Sequence, residues 1–181
     1  MRPDGRPRLV EPARIRYRDD QPFSLDFDDI YHAADGAAEV ARVFVEPTGL
    51  PDLAAARARG GGPGGTVRIG ELGFGSALNF VVAAGICLRA GARLHFVSCE
   101  ARPLGTDDFA AVAARRKTAH PLYEALAAVY PPAVAGWHQR VLAGGRVRLT
   151  VWFGEAADAL ADLAGRQRQG FDAWFLDGFA P

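Results

Sequence analysis

A short run in which one acid and two glycines stand at every second position offers the clearest chemistry in this sequence. Glu71, Gly73 and Gly75 alternate there, between a strand-like segment at 67–72 and a helix-like segment at 77–89. Glycines at such a turn let the backbone approach a ligand closely, and the first N–H groups of a helix have no partners within it. The run therefore predicts a nucleotide-binding turn.

Two classes of nucleotide compete for this turn. A dinucleotide site requires a third glycine three positions after the second, and that position holds Leu78, which disfavours an NAD-dependent dehydrogenase. An acid two positions before the first glycine, as at Glu71, instead resembles motif I of class I S-adenosylmethionine (SAM) methyltransferases. Ala77 stands where that motif has its last glycine. By this pattern Glu71, Gly73 and Gly75 would form a SAM cradle.

Two further acids follow predicted strands. Glu100 ends the second strand, where a carboxylate accepts hydrogen bonds from ribose hydroxyls in NAD and SAM sites alike; otherwise it is a surface acid. Glu155 follows the third strand, where SAM enzymes often place an acid near the adenine amino group. An acid there also suits the start of a helix, so both interpretations of Glu155 stay open.

The residues after the fourth predicted strand suggest the acceptor chemistry. Asp177, Gly178 and Phe179 stand there, and amino-methyltransferases carry a related signature. A primary amine attacks a sulfonium methyl only when it is neutral and aimed, and a carboxylate can hold its hydrogens. Phe179 would stack on a base. The alternative is that Asp177 and Gly178 merely close a tight turn.

Strand-like and helix-like segments alternate from residue 66 onward. This alternation predicts an α/β fold with a doubly wound sheet of parallel strands, whose carboxyl ends bring the candidate residues to one edge. The predicted strands are 67–72, 93–99, 146–153 and 171–176, and the predicted helices are 77–89, 106–119, 122–129 and 156–168.

The chain divides by composition into an N-terminal arm and small subdomain (1–58), a Gly-rich loop (59–65) and a Rossmann-like SAM-binding domain (66–181). Arginines crowd the arm around a short edge strand at 13–17, and they are either solvated or contact RNA phosphates. Further along the subdomain, a short helix near 36–42 and a strand-like segment at 43–45 are predicted.

The fourth strand is apolar and would lie at an edge of the sheet, which native proteins avoid exposing. We therefore expect that the sheet is incomplete at the C-terminus, and that the chain is a fragment or receives its missing half from elsewhere.

The bulk composition narrows the class of protein. The 181 residues carry 21 basic and 21 acidic side chains, so no overall basic charge indicates a nucleic-acid partner. Cys87 and Cys99 form no metal or redox motif and predict buried free thiols in a reducing, cytoplasmic compartment. The scattered histidines predict no metal site, and no segment approaches the roughly 20 apolar residues of a membrane helix.

Five blocks of the sequence together resemble the MnmC-type tRNA methyltransferases. The last block, and the block that contains Asp28, Asp29 and Tyr31, are more specific than the glycine turn. The blocks cover residues 26–46, 71–80, 94–104, 145–156 and 171–181.

The resemblance implies a reaction and its partners. The implied reaction is the methylation that completes 5-methylaminomethyl-2-thiouridine at the tRNA wobble position, with SAM as methyl donor and tRNA as substrate. In many bacteria the methyltransferase is fused to a C-terminal FAD-dependent oxidoreductase, whereas others carry it alone. An inactive or partner-dependent nucleotide-binding fragment of such an enzyme is the alternative.

The resemblance also implies roles for individual residues. Glu71, Gly73 and Gly75 would cradle SAM, and Glu100 would hold its ribose. The remaining implied roles are Glu155 beside the adenine, Tyr31 as a ligand contact, Asp177 as the catalytic residue that orients the aminomethyl nitrogen, and Phe179 lining the uridine pocket. The family usually has Asp where Glu155 stands, which lengthens the side chain by one methylene.

Overall fold

The structure is a computed structural model. It describes residues 7–18, 21–26, 28–31, 35–60, 65–116, 120–166 and 170–177. Within these ranges the chain forms a small antiparallel sheet, a larger mixed sheet, and helices that pack against the larger one. No helix in the described ranges is both long and apolar enough to cross a membrane.

The small sheet has three short strands. β1 (Ile15–Arg18) pairs antiparallel with β2 (Gln21–Ser24), which pairs antiparallel with β3 (Asp29–Ile30). The edge strand predicted at 13–17 therefore exists, shifted by one or two residues, but it is part of a sheet that the sequence did not reveal.

A helical segment follows the small sheet. It consists of α1 (Gly36–Val40), a π-helical turn (Ala41–Val45), α2 (Glu46–Thr48) and α3 (Leu50–Gly60). The strand expected at 43–45 was wrong, because that segment lies in the π-helical turn.

Packing explains this error. Val43, Phe44 and Val45 have side chains that favour strands, but Val45 is buried and the ring of Phe44 lies 5.0 Å from that of Phe175. Tertiary contacts therefore override the local preference.

The larger sheet has the strand order β6-β7-β5-β4-β8. Four strands run parallel, and β6 runs antiparallel to β7 at one edge. The four predicted strands are confirmed to within two residues, whereas β6 was missed because its exposed, polar face interrupts the apolar pattern. The strands are β4 (Thr66–Leu72), β5 (Arg93–Glu100), β6 (Gly136–Leu142), β7 (Val147–Phe153) and β8 (Ala173–Leu176).

Helices connect the parallel strands, as the alternating pattern predicted. They are α4 (Leu78–Ala90), α5 (Thr106–Arg116), α6 (Leu122–Ala127) and α7 (Ala156–Arg166). Helix α6 ends two residues earlier than expected, and the predicted ends of α5 and α7 lie outside the described residues.

Phenylalanines form the core between α4 and the sheet. The ring of Phe80 lies 5.5 Å from that of Phe96, and Phe96 lies 6.1 Å from Phe175, with both pairs edge to face. All three are fully buried. These contacts fix α4 and its N-terminal turn over the carboxyl ends of β4 and β5.

Strand β8 lies at the edge of the sheet, as expected from the sequence. Its side chains alternate: Ala173 and Phe175 face the core, whereas Trp174 is 40% exposed and Leu176 is 64% exposed. Because β4 lies between β5 and β8, the order of the strands reverses beside β4. Open α/β sheets bind ligands at such a reversal.

Candidate active site

The glycine turn lies at the carboxyl end of β4. The N–H groups of Gly73 and Phe74 both donate to the carbonyl of Cys99, each at 3.1 Å, so the turn is fixed to the end of β5. Gly73, Gly75 and Ala77 all have positive φ, at 92°, 49° and 65°. Alanine rarely adopts this conformation, because a positive φ costs about 1–2 kcal/mol for any residue that has a Cβ. Ala77 thus keeps the backbone shape of the glycine that it replaces in the SAM motif.

Glu100 is hydrogen-bonded directly to this turn. Its Oε2 accepts the N–H of Gly75 at 2.8 Å, and its Oε1 accepts the N–H of Arg102 at 2.9 Å. Burial raises the pKa of the carboxyl, and these backbone donors partly oppose the shift. A carboxylate can accept further hydrogen bonds beside these two, so Glu100 retains acceptor capacity for a ligand hydroxyl.

Glu71 is buried immediately before the turn. Its Oε2 accepts a hydrogen bond from the Ser98 hydroxyl at 2.6 Å, whereas Oε1 is buried without a partner among the described residues. Burial raises the pKa of Glu71 from 4.5 to about 8, against the opposing effects of the nearby Ser98 and Asn79 side chains. Buried acceptors rarely lack partners, so an unpaired one marks a place where a ligand donor fits.

Asp177 lies at the end of β8, on the other side of β4. Its backbone N–H donates to the carbonyl of Leu72 at 3.2 Å, and its Oδ2 accepts a hydrogen bond from the side-chain amide of Asn79 at 2.8 Å. Partial burial raises the pKa of Asp177, with the Asn79 bond opposing the shift. Asn79 belongs to the first turn of α4, so the helix that follows the glycine turn also holds the Asp177 carboxyl.

Sequence reasoning had not assigned a role to Asn79. A signal was present, because Asn79 lies within 71–80, one of the five blocks that resemble the MnmC-type methyltransferases. Its bond to Asp177 joins residues 98 positions apart, and only the strand order brings them together.

Tyr31 covers the glycine turn. A methyl group built on Gly75 would lie 3.4 Å from Cδ1 of the Tyr31 ring, which is van der Waals contact. Burial, followed by the nearby charge of Glu100, raises the pKa of Tyr31. The structure therefore brings Tyr31, Gly75 and Glu100 together.

Tyr130 is a second tyrosine at this site, and sequence reasoning missed it. Its ring stacks on Phe109 with centroids 3.9 Å apart and planes 8° from parallel, and it also contacts Phe153. Its hydroxyl is buried without a partner among the described residues. Burial and the charge of Glu100 raise its pKa. No motif marks this residue, which stands just before a pair of prolines.

The remaining two predicted residues are less enclosed. Glu155 is exposed at the start of α7, where its carbonyl accepts the N–H of Ala159 at 3.2 Å. Its side chain forms no hydrogen bond or ion pair within the described part of the chain. The preceding Gly154 N–H donates to the carbonyl of Glu100 at 2.9 Å, which places Glu155 beside the end of β5. Phe179 lies outside the described residues.

These groups fit the chemistry of SAM. Glu100 offers acceptors at a strand tip for ribose hydroxyls, and Oε1 of Glu71 offers a buried acceptor, without a partner among the described residues, to an N–H donor of the ligand. Gly75 leaves open the space that a Cβ would fill under Tyr31. Taken with the strand order, the site defines a Rossmann-like fold of the class I SAM-dependent methyltransferase type.

Comparisons with known proteins agree with this class. The profile of the S-adenosyl-L-methionine-dependent methyltransferase family matches residues 117–181. The crystal structure of MnmC2 from Aquifex aeolicus superposes with a TM-score of 0.61 at 21% identity, over 94% of this chain and 50% of that one. At this identity the structural likeness shows the fold.

The sequence relatives are more specific. The tRNA 5-methylaminomethyl-2-thiouridine biosynthesis bifunctional protein MnmC from Chromobacterium violaceum is 42% identical over 174 residues, which are 93% of this chain and 25% of the relative. The protein of the same name from Marinobacter nauticus is 40% identical over 185 residues, 98% of this chain and 28% of the relative. The chain thus spans about a quarter of the curated relatives that it matches. It belongs to the MnmC-type methyltransferase family, which confirms the resemblance of the sequence blocks.

Proposed function

We propose that this chain transfers a methyl group from SAM to the amine of 5-aminomethyl-(2-thio)uridine at the tRNA wobble position, giving 5-methylaminomethyl-(2-thio)uridine. The Asn79–Asp177 hydrogen bond is the observation that carries the proposal. It holds a carboxylate at the end of β8, next to the glycine turn at the end of β4.

The donor side of the site would bind SAM. Glu71, Gly73 and Gly75 form the cradle, Glu100 accepts from the ribose hydroxyls, and Glu155 lies by the adenine. When bound, SAM supplies an electrophilic methyl on a sulfonium. Tyr31 would cover the turn and exclude water from it.

The acceptor side would bind and aim the amine. An ammonium has no lone pair, so the aminomethyl nitrogen must lose a proton before it attacks. Asp177 accepts an N–H of the amine and orients its lone pair toward the methyl, while the raised pKa makes its carboxylate a better proton acceptor. Phe179 would line the uridine pocket. Methyl transfer to nitrogen leaves S-adenosylhomocysteine and releases one proton.

A labelled-methyl assay tests this function. The substrate is tRNA that bears an unmethylated aminomethyl wobble uridine, with tRNA that lacks the aminomethyl group as the control. We expect label only in the first, recovered as methylaminomethyl-uridine after digestion. Label in neither RNA, with the chain alone and with a version extended past Pro181, would contradict the proposal.

A second candidate is a nucleotide-binding module that methylates only when other protein packs against it. Trp174 and Leu176 favour it, because both are exposed on the edge strand that ends at Asp177. An FAD-dependent oxidoreductase, fused or separate, is the partner that the family suggests, and the relatives are named bifunctional. Activity that appears only in an extended chain or with an added oxidoreductase would favour this candidate.

A further inference from the structure

One face of the small sheet carries a row of arginines. Residues two apart in a strand share a face, and Arg14, Arg16 and Arg18 are all exposed, whereas Ile15 and Tyr17 between them are partly buried. We call these three residues the arginine face. Their Cα atoms are about 7 Å apart in succession, which is close to the separation of neighbouring phosphates along an RNA strand.

The guanidinium groups of this face are held in place. The guanidinium of Arg18 lies 3.5 Å from the ring centroid of Phe23, and that of Arg16 lies 5.2 Å from it. Phe23 is buried beneath them although it faces the same side of the sheet. Arg14 is fixed by Asp26, through its Nε at 2.8 Å. Stacked arginines keep their N–H edges free for an anion and lose less freedom on binding it.

Arg16 and Arg18 form no ion pair with any described residue, and both side chains are exposed. The next two positions in sequence, Asp19 and Asp20, lie outside the described residues. Two guanidiniums that lie over one ring and form no ion pair among the described residues are a local basic feature on a chain of zero net charge, and such a feature suits an anionic partner.

The segment that leads into the small sheet is fixed to the loop that follows Glu100. The N–H of Ala13 donates to the carbonyl of Pro103 at 2.9 Å, and Arg102 pairs with Glu11 at 2.9 Å. On the inner face, the guanidinium of Arg115 from α5 lies 3.9 Å from the Tyr17 ring centroid. The arginine face therefore has a set position beside the donor side of the site.

The register places the arginine face near Tyr31. Arg16 pairs with Phe23, and Phe23 pairs with Ile30, so Arg16 lies two strands, or about 10 Å, from the backbone of Ile30. Tyr31 follows directly and covers Gly75. A nucleotide that enters the site beside Tyr31 therefore brings its flanking phosphates within reach of these arginines.

We propose that the arginine face binds backbone phosphates of the tRNA next to the target nucleotide. This inference rests on the proposed function for the identity of the RNA. Arg16 and Arg18 are the phosphate ligands, and Arg14 extends the row. The surface reads charge and spacing rather than sequence, so it sets affinity and orientation.

Salt dependence of tRNA binding tests the proposal. The double variant Arg16→Gln/Arg18→Gln removes both charges and keeps part of each aliphatic stem over Phe23. We expect its slope of log affinity against log salt to fall by about 1.4–1.8. Affinity at moderate salt should fall about tenfold or more. Arg16→Lys/Arg18→Lys should keep most of the slope, because it keeps the charge. The matched control is Arg93→Gln/Arg148→Gln, two exposed arginines near the amino ends of β5 and β7.

The outcomes separate the possibilities. An unchanged slope, an equal loss in the control, or no tRNA binding by the wild-type chain would overturn the proposal. Arginine-dependent binding to anionic vesicles without tRNA binding would also overturn it. If arginine-dependent tRNA binding persists but no methyl is transferred, the proposed activity fails and this surface stands. SAM affinity should be unchanged in every variant.

Discussion

The donor and acceptor sides of the site are built differently. On the donor side, backbone N–H groups bind the turn to β5: Gly73 and Phe74 donate to Cys99, and Gly75 donates to Glu100. On the acceptor side, the bond from Asn79 is the one side-chain hydrogen bond to the Asp177 carboxyl among the described residues, and it lies at the end of a half-exposed edge strand. The donor side is therefore largely preformed, whereas the acceptor side depends on a few side chains.

Because of this difference, substitutions on the two sides should change different measured quantities. Changes at the turn or Glu100 should alter the affinity for SAM, because those groups shape the cradle before the substrate arrives. Changes at Asp177 should alter turnover, because that carboxylate acts on the amine. Single substitutions should therefore separate the two sides.

Removing the Asp177 carboxyl should have the largest effect. We expect Asp177→Ala to lower turnover about 10²–10⁴-fold, the usual contribution of a positioned proton acceptor, and to leave the SAM dissociation constant nearly unchanged. Asp177→Asn is the matched control, since its amide oxygen still accepts from Asn79. It should keep the fold but recover little activity. Equal losses of turnover and SAM affinity would mean that Asp177 is structural.

Glu100→Ala tests whether the donor side determines the affinity for SAM. Glu100→Ala should weaken SAM binding by about 1–3 kcal/mol, the range for leaving polar partners unpaired, and calorimetry measures this directly. Turnover at saturating SAM should change far less. Glu124→Ala, at an exposed acid of α6, is the control and should leave both unchanged. Unchanged affinity in Glu100→Ala would remove Glu100 from the site.

Gly75→Ala tests whether SAM binding requires the open space beside the Gly75 backbone. Backbone strain alone is measured by the same substitution at Gly144. Gly75 and Gly144 both have positive φ, at 49° and 61°, but only a Cβ on Gly75 meets a neighbour. Alanine at either position should cost about 1–2 kcal/mol of stability. We expect only Gly75→Ala to weaken SAM binding, about tenfold. If both variants keep full SAM affinity, the cradle does not need the space under Tyr31.

The pH dependence of folding tests the buried acid. The Glu71 carboxyl ionises near pH 4.5 when unfolded and near pH 8 when folded, so between these values the folded state binds more protons. Rising pH should therefore lower stability across this range, and Glu71→Gln should remove that loss.

The readout is the denaturant midpoint at pH 5 and pH 9. We expect Glu71→Gln to be more stable than the wild type at pH 9 and similar to it at pH 5. Glu124→Gln should follow the wild type at both. A Glu71→Gln variant that loses stability equally at both pH values would show that the wild-type carboxyl is already ionised in the folded state.

The sequence anticipated the donor side well, because its information is local. Glu71, Gly73 and Gly75 lie within one turn, and Glu100 ends the next parallel strand, so strand–helix alternation alone places it nearby. The roles of these residues stay predictions, but their proximity is a property of the fold. The burial that leaves an oxygen of Glu71 unpaired depends on Ser98 and on core packing, which no motif shows.

Features that depend on distant packing were not predictable. The Asn79–Asp177 bond requires β8 to lie beside β4, and the crossover after α7 could have led to either edge of the sheet. The strand expected at 43–45 failed because the ring of Phe44 packs on Phe175, from the far end of the chain. Tyr130 reaches the site through its stack on Phe109, not through any sequence pattern.

Titration of the chain with SAM in the absence of tRNA tests the central claim most directly. We expect one SAM bound per chain, with affinity retained in Asp177→Ala and weakened by about 1–3 kcal/mol in Glu100→Ala, because the donor side is preformed and independent of the acceptor side. No binding by the wild-type chain, or an equal loss of affinity in both variants, would contradict it.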